Sequence, residues 1–125
     1  MIGVVAVGVG FRPGTDVADL GAAVGAVLAA AGLTEADVDV LATLDRRSGE
    51  PGIRRLASGR GWPVAAFPAA ELGRREVPNP SGVVGAAVGT PGVAEAAALC
   101  AAGPSSVLVV PKRVVGGVTV AVARG

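Results

Sequence analysis

Residues 2–9 read Ile-Gly-Val-Val-Ala-Val-Gly-Val, a continuous apolar run in which β-branched side chains dominate. Runs of this kind are typical of strands that are buried on both faces of a parallel sheet. A helix signal follows directly, because Thr15 or Asp16 can cap a helix that runs to about residue 31, where Gly32 is placed to end it. The stretch therefore predicts the first strand and the first covering helix of an α/β fold.

The alternation of strands and helices continues along the chain. Thr34 and Asp37 can cap a short turn, and Pro51 suits the first turn of a helix. We expect strands at residues 2–9, 38–44, 64–67, 107–110 and 118–123, and helices at about residues 16–31, 51–60, 69–72, 81–89 and 91–102. Residues 111–117 form a connection short enough for an antiparallel hairpin. This order predicts an α/β fold, a three-layer sandwich with a mainly parallel sheet, helices on both faces and a C-terminal antiparallel hairpin at one edge.

Length and composition indicate a single domain over residues 1–125. Hydrophobic residues make up 51% of the chain and aromatic residues only 2%, so the core must consist of Ala, Val and Leu. The single cysteine, Cys100, cannot form an internal disulfide, and its Ala-rich surroundings favour a structural thiol in a reducing compartment. Residues 1–9 lack the pattern of a signal peptide, and we find no apolar span of about 20 residues for a membrane helix. We expect a soluble, cytoplasmic protein.

The charged and polar residues exclude several classes of function. A net charge of +1 and the scarcity of aromatic side chains argue against a nucleic-acid-binding protein. The chain has no His and no Tyr, which excludes a His-based triad. With only one cysteine as well, it lacks the usual set of ligands for a zinc site. We therefore expect no metal and no cofactor. Any catalysis must depend on carboxylates, Arg, Lys, hydroxyl groups and backbone dipoles.

The loop after the first strand carries two glycines and a basic residue. Gly8 and Gly10 allow backbone N–H groups to approach an anion at the start of the next helix, and Arg12 adds a fixed positive charge. Pro13 stands where a dinucleotide-binding fingerprint would have glycine. A tight turn and a ligand-binding loop both remain open for this segment, and a nucleotide or phosphate site is the weaker interpretation of it.

The loop after the second strand concentrates charge at a strand end. Asp45 and Glu50 are carboxylates that can act as general bases, while Arg47 can clamp a carboxylate or polarise a carbonyl. The alternative is a solvated loop whose ion pairs contribute about 0–1 kcal/mol each. Two isolated charges lie further on: Glu95, which marks either the solvent face or the N-terminal end of its helix, and Lys112, which suits a hairpin edge.

These loops together resemble a cobalamin-biosynthesis family that comprises CobE and the C-terminal domain of CbiG, and the resemblance covers nearly the whole chain. The family's first loop matches Gly8, Gly10, Arg12, Gly14 and Thr15, and its second matches Ala42, Thr43, Asp45 and Glu50, with Arg47 where Lys is usual. Further matches are Leu72, Ser81, Gly89, Val93, Ala94, Glu95, Ala97, Ala98, Lys112, Thr119 and Ala121.

The resemblance implies that the chain handles a corrin or precorrin intermediate. Full-length CbiG-like proteins open the ring lactone of cobalt-precorrin-5A and release a two-carbon fragment as acetaldehyde, and they have an additional N-terminal region. We expect this chain to be the stand-alone form or an isolated domain that assists or performs the lactone opening. By resemblance, Asp45 and Glu50 are the candidate catalytic residues. Candidate substrate-binding residues are Gly8, Gly10, Arg12, Thr15, Thr43, Arg47, Ser81, Glu95 and Lys112. A non-catalytic module that docks onto another cobalamin-pathway enzyme is the alternative.

Overall fold

A computed structural model describes residues 3–74 and 91–125 of the chain. Its strands are β1 (Val5–Gly10), β2 (Val40–Leu44), β3 (Val64–Phe67), β4 (Val107–Val115) and β5 (Val118–Arg124). Its helices are α1 (Val17–Ala30), α2 (Pro51–Arg60), α3 (Ala69–Arg74) and α4 (Pro91–Ala102), and 3₁₀ turns lie at Glu35–Asp37 and Asp45–Arg47. The predicted order of elements is confirmed in these ranges, and the predicted helix at residues 81–89 lies outside them.

The strands form one sheet in the order β3-β2-β1-β5-β4. β1 pairs in parallel with β2, and β2 pairs in parallel with β3. β5 is antiparallel to both of its neighbours, β1 and β4. Since β4 therefore runs in the direction of β1, β5 is the strand of this sheet that runs the opposite way. The mainly parallel sheet and the C-terminal hairpin are confirmed, but the reversed strand lies inside the sheet and not at its edge.

Helices cover both faces of the sheet. The odd-numbered apolar residues of β1 face α1 and α2 and pack with a cluster of large side chains that includes Leu20, Val24, Leu28, Ile53, Leu56, Val120 and Val122. The opposite face meets α3 and α4 through a layer in which alanine predominates, with Ala6, Ala42, Ala97, Ala98 and Ala123, together with Leu72. The predicted three-layer sandwich is thus the observed architecture.

Gly8 allows α4 to approach the sheet closely. A Cβ atom built on Gly8 would overlap with the carbonyl oxygen of Ala94 and lie 2.8 Å from the amide nitrogen of Ala98. Both are backbone atoms of α4, so no side-chain rotation can make room for a larger residue. The alanine-rich face of α4 and this glycine together bring helix and sheet into backbone contact.

Strand β4 is longer than the sequence predicted. The expected strand ended at residue 110, whereas β4 continues to Val115 and the hairpin turn consists of Gly116 and Gly117 with positive φ angles of 56° and 82°. Two register shifts interrupt the β4–β5 pairing, one between Leu108 and Val110 and one between Val110 and Arg113. The second contains Pro111, which has no N–H for the ladder and is tolerated in strands at edges and bulges.

Most helix and turn boundaries follow the local signals. The amide of Thr34 donates to Asp37 Oδ2 at 2.8 Å, as the capping motif predicted, and Gly32 adopts a positive φ angle. Asp16 is the residue before α1, but its side chain makes no capping hydrogen bond. No helix in residues 3–74 and 91–125 is long and apolar enough to cross a membrane.

Candidate active site

Two loops lie side by side at the carboxyl edge of the parallel strands. Residues 11–16 follow β1, and residues 45–50 follow its neighbour β2. Open α/β sheets bind their ligands at this edge, because the loops there are free to carry polar groups. We refer to residues 11–16 and 45–50 as the carboxyl-edge site.

Two hydrogen bonds join these loops. Arg47 donates its Nε–H to the carbonyl oxygen of Phe11 at 3.0 Å. Gly14 donates its backbone N–H to Glu50 Oε1 at 2.8 Å. Because one bond runs in each direction, the predicted first and second loops form a single tethered unit in the folded chain.

Each loop is also braced internally. Thr15 Oγ1 donates to the carbonyl oxygen of Arg12 at 2.7 Å, and Ser48 Oγ donates to that of Asp45 at 2.7 Å. The side chains of Arg12 and Asp45 are exposed. The site therefore presents an exposed cation and an exposed carboxylate on loops whose backbones are held by hydrogen bonds.

A small cleft lies where the N-terminal ends of α1 and α2 meet. Its volume is about 120 Å³, and its lining residues are Gly14, Thr15, Asp16, Val17, Glu50, Pro51, Gly52 and Arg55. Sites that enclose a whole small molecule usually have volumes of about 300–1,000 Å³. The cleft can therefore accommodate one peripheral group of a larger ligand and not a macrocycle.

Gly52 and Arg55 line the cleft beside the carboxyl-edge site, and the sequence alone did not indicate either residue. A Cβ atom on Gly52 would overlap with the carbonyl oxygen of Thr15, so this glycine lets α2 reach the first loop. Arg55 lies one turn into the same helix and lines the cleft. The available signal was Pro51, because a proline at the first helical position marks where a helix begins, and a helix that follows a parallel strand begins at the carboxyl edge of the sheet.

The charges at this edge are mixed. Arg12, Arg47 and Arg55 supply guanidinium groups, which bind carboxylates through paired N–H donors, while Asp45 and Glu50 supply carboxylates that can accept a proton. In the described part of the chain, no group of three or more His, Cys, Asp and Glu side chains is arranged to hold a metal ion. The arrangement suits recognition of an acidic ligand and activation of a water molecule.

Three of the predicted substrate-binding residues are buried. Gly8 packs against α4, and Gly10 ends β1 and pairs with Thr119 of β5. Thr43 is 0% exposed and donates its hydroxyl to the carbonyl oxygen of Val9 at 2.8 Å. These residues therefore support the strands that carry the two loops, and their direct contact with a ligand stays a prediction.

Glu95 and Lys112 do not belong to the carboxyl-edge site. They lie where α4 covers β5 and β4. Glu95 is 0% exposed, which rules out the solvent face of α4 as one of the two alternatives for this residue. Its Oε2 accepts the backbone N–H of Lys112 at 3.0 Å, whereas Oε1 has no hydrogen-bond partner in the described residues. Lys112 is half-buried in the edge strand. Ser81, the remaining predicted binding residue, lies outside the described residues.

Comparisons with a family model and with known proteins agree on one family. The family model described as "Cobalamin synthesis G C-terminus" matches residues 5–123. Protein CobE of Sinorhizobium sp. is 42% identical over 98 residues, which cover 77% of this chain and 64% of CobE. The cobalt-precorrin-5A hydrolase of Priestia megaterium is 31% identical over 120 residues, which cover 96% of this chain and 32% of the hydrolase. The chain thus spans less than two thirds of either relative.

Solved structures share the fold over the full chain. The crystal structure of CobE, a protein from the cobalamin (vitamin B12) biosynthetic pathway, matches with a TM-score of 0.81 and 29% identity and covers 100% of this chain and 92% of that one. The cobalamin biosynthesis protein chiG from Agrobacterium tumefaciens matches with a TM-score of 0.74 and 36% identity, over 96% of this chain and 97% of that one. The resemblance seen in the sequence is therefore confirmed.

Proposed function

Because the chain belongs to the cobalamin synthesis G C-terminal family, we propose that this cobalamin-biosynthesis protein binds a corrin-ring intermediate and assists or performs opening of a precorrin-5A-type lactone. The observation that carries the proposal is the tethering of the two strand-end loops by the Arg47–Phe11 and Gly14–Glu50 hydrogen bonds. These bonds place basic and acidic side chains at the one edge of the sheet where ligands of this fold class bind.

Binding uses the basic residues of the carboxyl-edge site. Corrin intermediates carry several peripheral carboxylates, and guanidinium groups are offered to them by Arg12 on the first loop and by Arg55 in the lining of the cleft. Arg47 uses one of its five N–H donors for the bond to Phe11, which fixes the orientation of its guanidinium plane. The cleft receives one peripheral group, and the ring lies across the loops.

Lactone opening requires a base and a stabilised carbonyl oxygen. A carboxylate removes a proton from water, the water oxygen forms a bond to the lactone carbonyl carbon, and the acyl C–O bond breaks. The leaving alkoxide takes that proton back from the base to become an alcohol, and the new carboxylic acid releases its remaining proton to solvent. Asp45 is the better placed base, because it is exposed while Glu50 holds the amide of Gly14. A guanidinium group of the site stabilises the charge on the carbonyl oxygen.

The proposal is tested with the purified protein and cobalt-precorrin-5A. Visible absorbance reports binding, and mass spectrometry of the product reports addition of water to the lactone, with or without loss of the two-carbon fragment. We expect a saturable spectral change for the wild-type chain and a product that Asp45→Asn does not form, with binding retained in that variant. The absence of any spectral change at high micromolar ligand would refute the binding proposal.

A non-catalytic role as an interaction module is the second candidate. It is favoured by the edge strand β4, where Val107 and Val114 are each 64% exposed. Copurification with another cobalamin-pathway enzyme, together with full pathway function in an Asp45→Asn/Glu50→Gln double variant, would establish this role in place of catalysis.

A further inference from the structure

The second irregularity in β4 is held by a side chain of α4. Between Val110 and Arg113, β4 advances by three residues while β5 advances by two, so β4 contains an extra residue opposite Ala121. Pro111 has no N–H to donate at this point. The N–H of the next residue, Lys112, donates to Glu95 Oε2 at 3.0 Å, across 17 residues of sequence. Glu95 thus fixes the backbone conformation of the bulge against α4.

A carboxylate is a costly choice for this structural task alone. Burial of an ionised carboxylate opposes folding by several kcal/mol unless hydrogen bonds compensate, and Glu95 is 0% exposed with Oε1 lacking a partner in the described residues. The fixed geometry at Lys112 is therefore the feature that needs an explanation.

The contact leaves the charged end of Lys112 available. Glu95 binds the backbone of Lys112, and no carboxylate in residues 3–74 and 91–125 lies within ion-pair distance of its ammonium group. Lys112 lies three residues before the end of β4, which runs parallel to β1 and ends at the same edge of the sheet. Within the described residues, β4 therefore carries a cation without an ion-pair partner three residues from the edge that holds the two tethered loops.

The distance between β2 and β4 determines how large a ligand must be to contact both the loop after β2 and Lys112. β2 and β4 are separated by three strand spacings, through β1 and β5, which amounts to about 14 Å at about 4.8 Å per spacing. A ligand that contacts the loop after β2 and also Lys112 must span this distance and carry acidic groups at its rim. A polycarboxylate macrocycle has both properties.

We propose that Glu95 is a positioning residue that holds the β4 bulge so that the Lys112 ammonium anchors a rim carboxylate of the macrocycle. This inference rests on the proposed function, because it adds a second anchor for the same ligand. The first anchor is the carboxyl-edge site, and the two act at opposite sides of the bound ring.

Four variants and a matched control test the inference by visible titration with cobalt-precorrin-5A. Lys112→Met keeps the backbone N–H and removes the ammonium, and it raises Kd about tenfold, which corresponds to about 1.4 kcal/mol. Glu95→Leu raises Kd to a similar extent although Lys112 is intact, whereas Glu95→Gln, which keeps an acceptor oxygen, stays within about twofold of wild type.

The Glu95→Leu/Lys112→Met double variant binds no more weakly than Lys112→Met alone, because both changes remove the same interaction. Arg124→Met is the matched control. It also removes one positive charge, but at the end of β5 away from the hairpin turn, and it leaves Kd unchanged.

The outcomes separate the two proposals. If the wild-type chain binds and both Lys112→Met and Glu95→Leu bind equally well, the second anchor is refuted while the proposed function stands. If the wild-type chain does not bind, the proposed function fails and the anchor fails with it. Should Glu95→Leu not fold, hydrogen exchange of the Lys112 amide in Glu95→Gln and wild type reports the backbone contact, and Lys112→Met alone decides whether the ammonium binds the ligand.

Discussion

Gly14 and Glu50 are 36 residues apart in sequence, and the N–H of Gly14 donates to Glu50 Oε1 at 2.8 Å. Glu50 is also the residue before α2, but its side chain makes no hydrogen bond to the first turn of that helix. It reaches instead to the loop before α1. One carboxylate therefore sets the distance between the two helix N-termini that line the cleft.

Replacement of Glu50 tests this tether. Glu50→Ala removes the acceptor and is expected to lower the free energy of unfolding by about 1 kcal/mol, as for a half-exposed hydrogen bond to a charged group. Glu50→Gln retains an acceptor oxygen and is expected to cost less than half as much. Urea unfolding at neutral pH measures both. An equal loss in the two variants would assign the contribution to charge and not to the hydrogen bond.

The close approach of α2 to the first loop depends on Gly52. Gly52→Ala places a methyl group on the carbonyl oxygen of Thr15, and α2 must shift to relieve the overlap. We expect a loss of stability of about 1–3 kcal/mol and weaker binding of cobalt-precorrin-5A, because the cleft changes shape. Thermal unfolding and the visible titration measure these effects.

Gly59 provides the control in the same helix. It has no atom within 4 Å of a Cβ position, so Gly59→Ala is expected to stabilise the chain by about 0.4–1 kcal/mol through the helix preference of alanine. Destabilisation by both variants would mean that α2 tolerates no added methyl group for a reason unrelated to Thr15.

The backbone contact between Gly8 and α4 gives a second packing prediction. Gly8→Ala must displace α4, because the overlapping atoms are the carbonyl oxygen of Ala94 and the amide of Ala98. We expect a loss of about 3 kcal/mol, at the upper end of the range for overpacked cores, measured by denaturant unfolding. Gly25→Ala in α1, where the Cβ position is open, is the control and should be neutral or stabilising. A Gly8→Ala variant with wild-type stability would contradict the observed helix position.

The buried hydroxyl of Thr43 should contribute to stability and not to ligand affinity. Thr43→Val leaves the carbonyl oxygen of Val9 without this donor and is expected to cost about 1–2 kcal/mol. Thr43→Ser retains the hydroxyl and should retain that part of the stability. Both variants should bind cobalt-precorrin-5A with affinity close to wild type. A large loss of affinity with an unchanged free energy of unfolding would show that Thr43 contacts the ligand directly.

Much of the fold could be predicted because its signals are local. The apolar run before Gly10, the proline at residue 51 and the glycine at residue 32 each mark an element or its end through short-range sterics and hydrogen bonding. The hairpin was less predictable. Pro111 normally ends a strand, and only the bulge, supported from another helix by Glu95, allows β4 to continue through it.

The sequence by itself determined the α/β architecture, the family and the two charged loops, because strand, helix and motif signals depend on neighbouring residues. The tertiary structure alone decided which of those residues meet. It tied Glu50 to Gly14 and Arg47 to Phe11, buried Glu95 beneath the edge strand, and brought Gly52 and Arg55 to the cleft. These relationships depend on strand order and on how closely each helix approaches the sheet, which are set by packing between residues far apart in sequence.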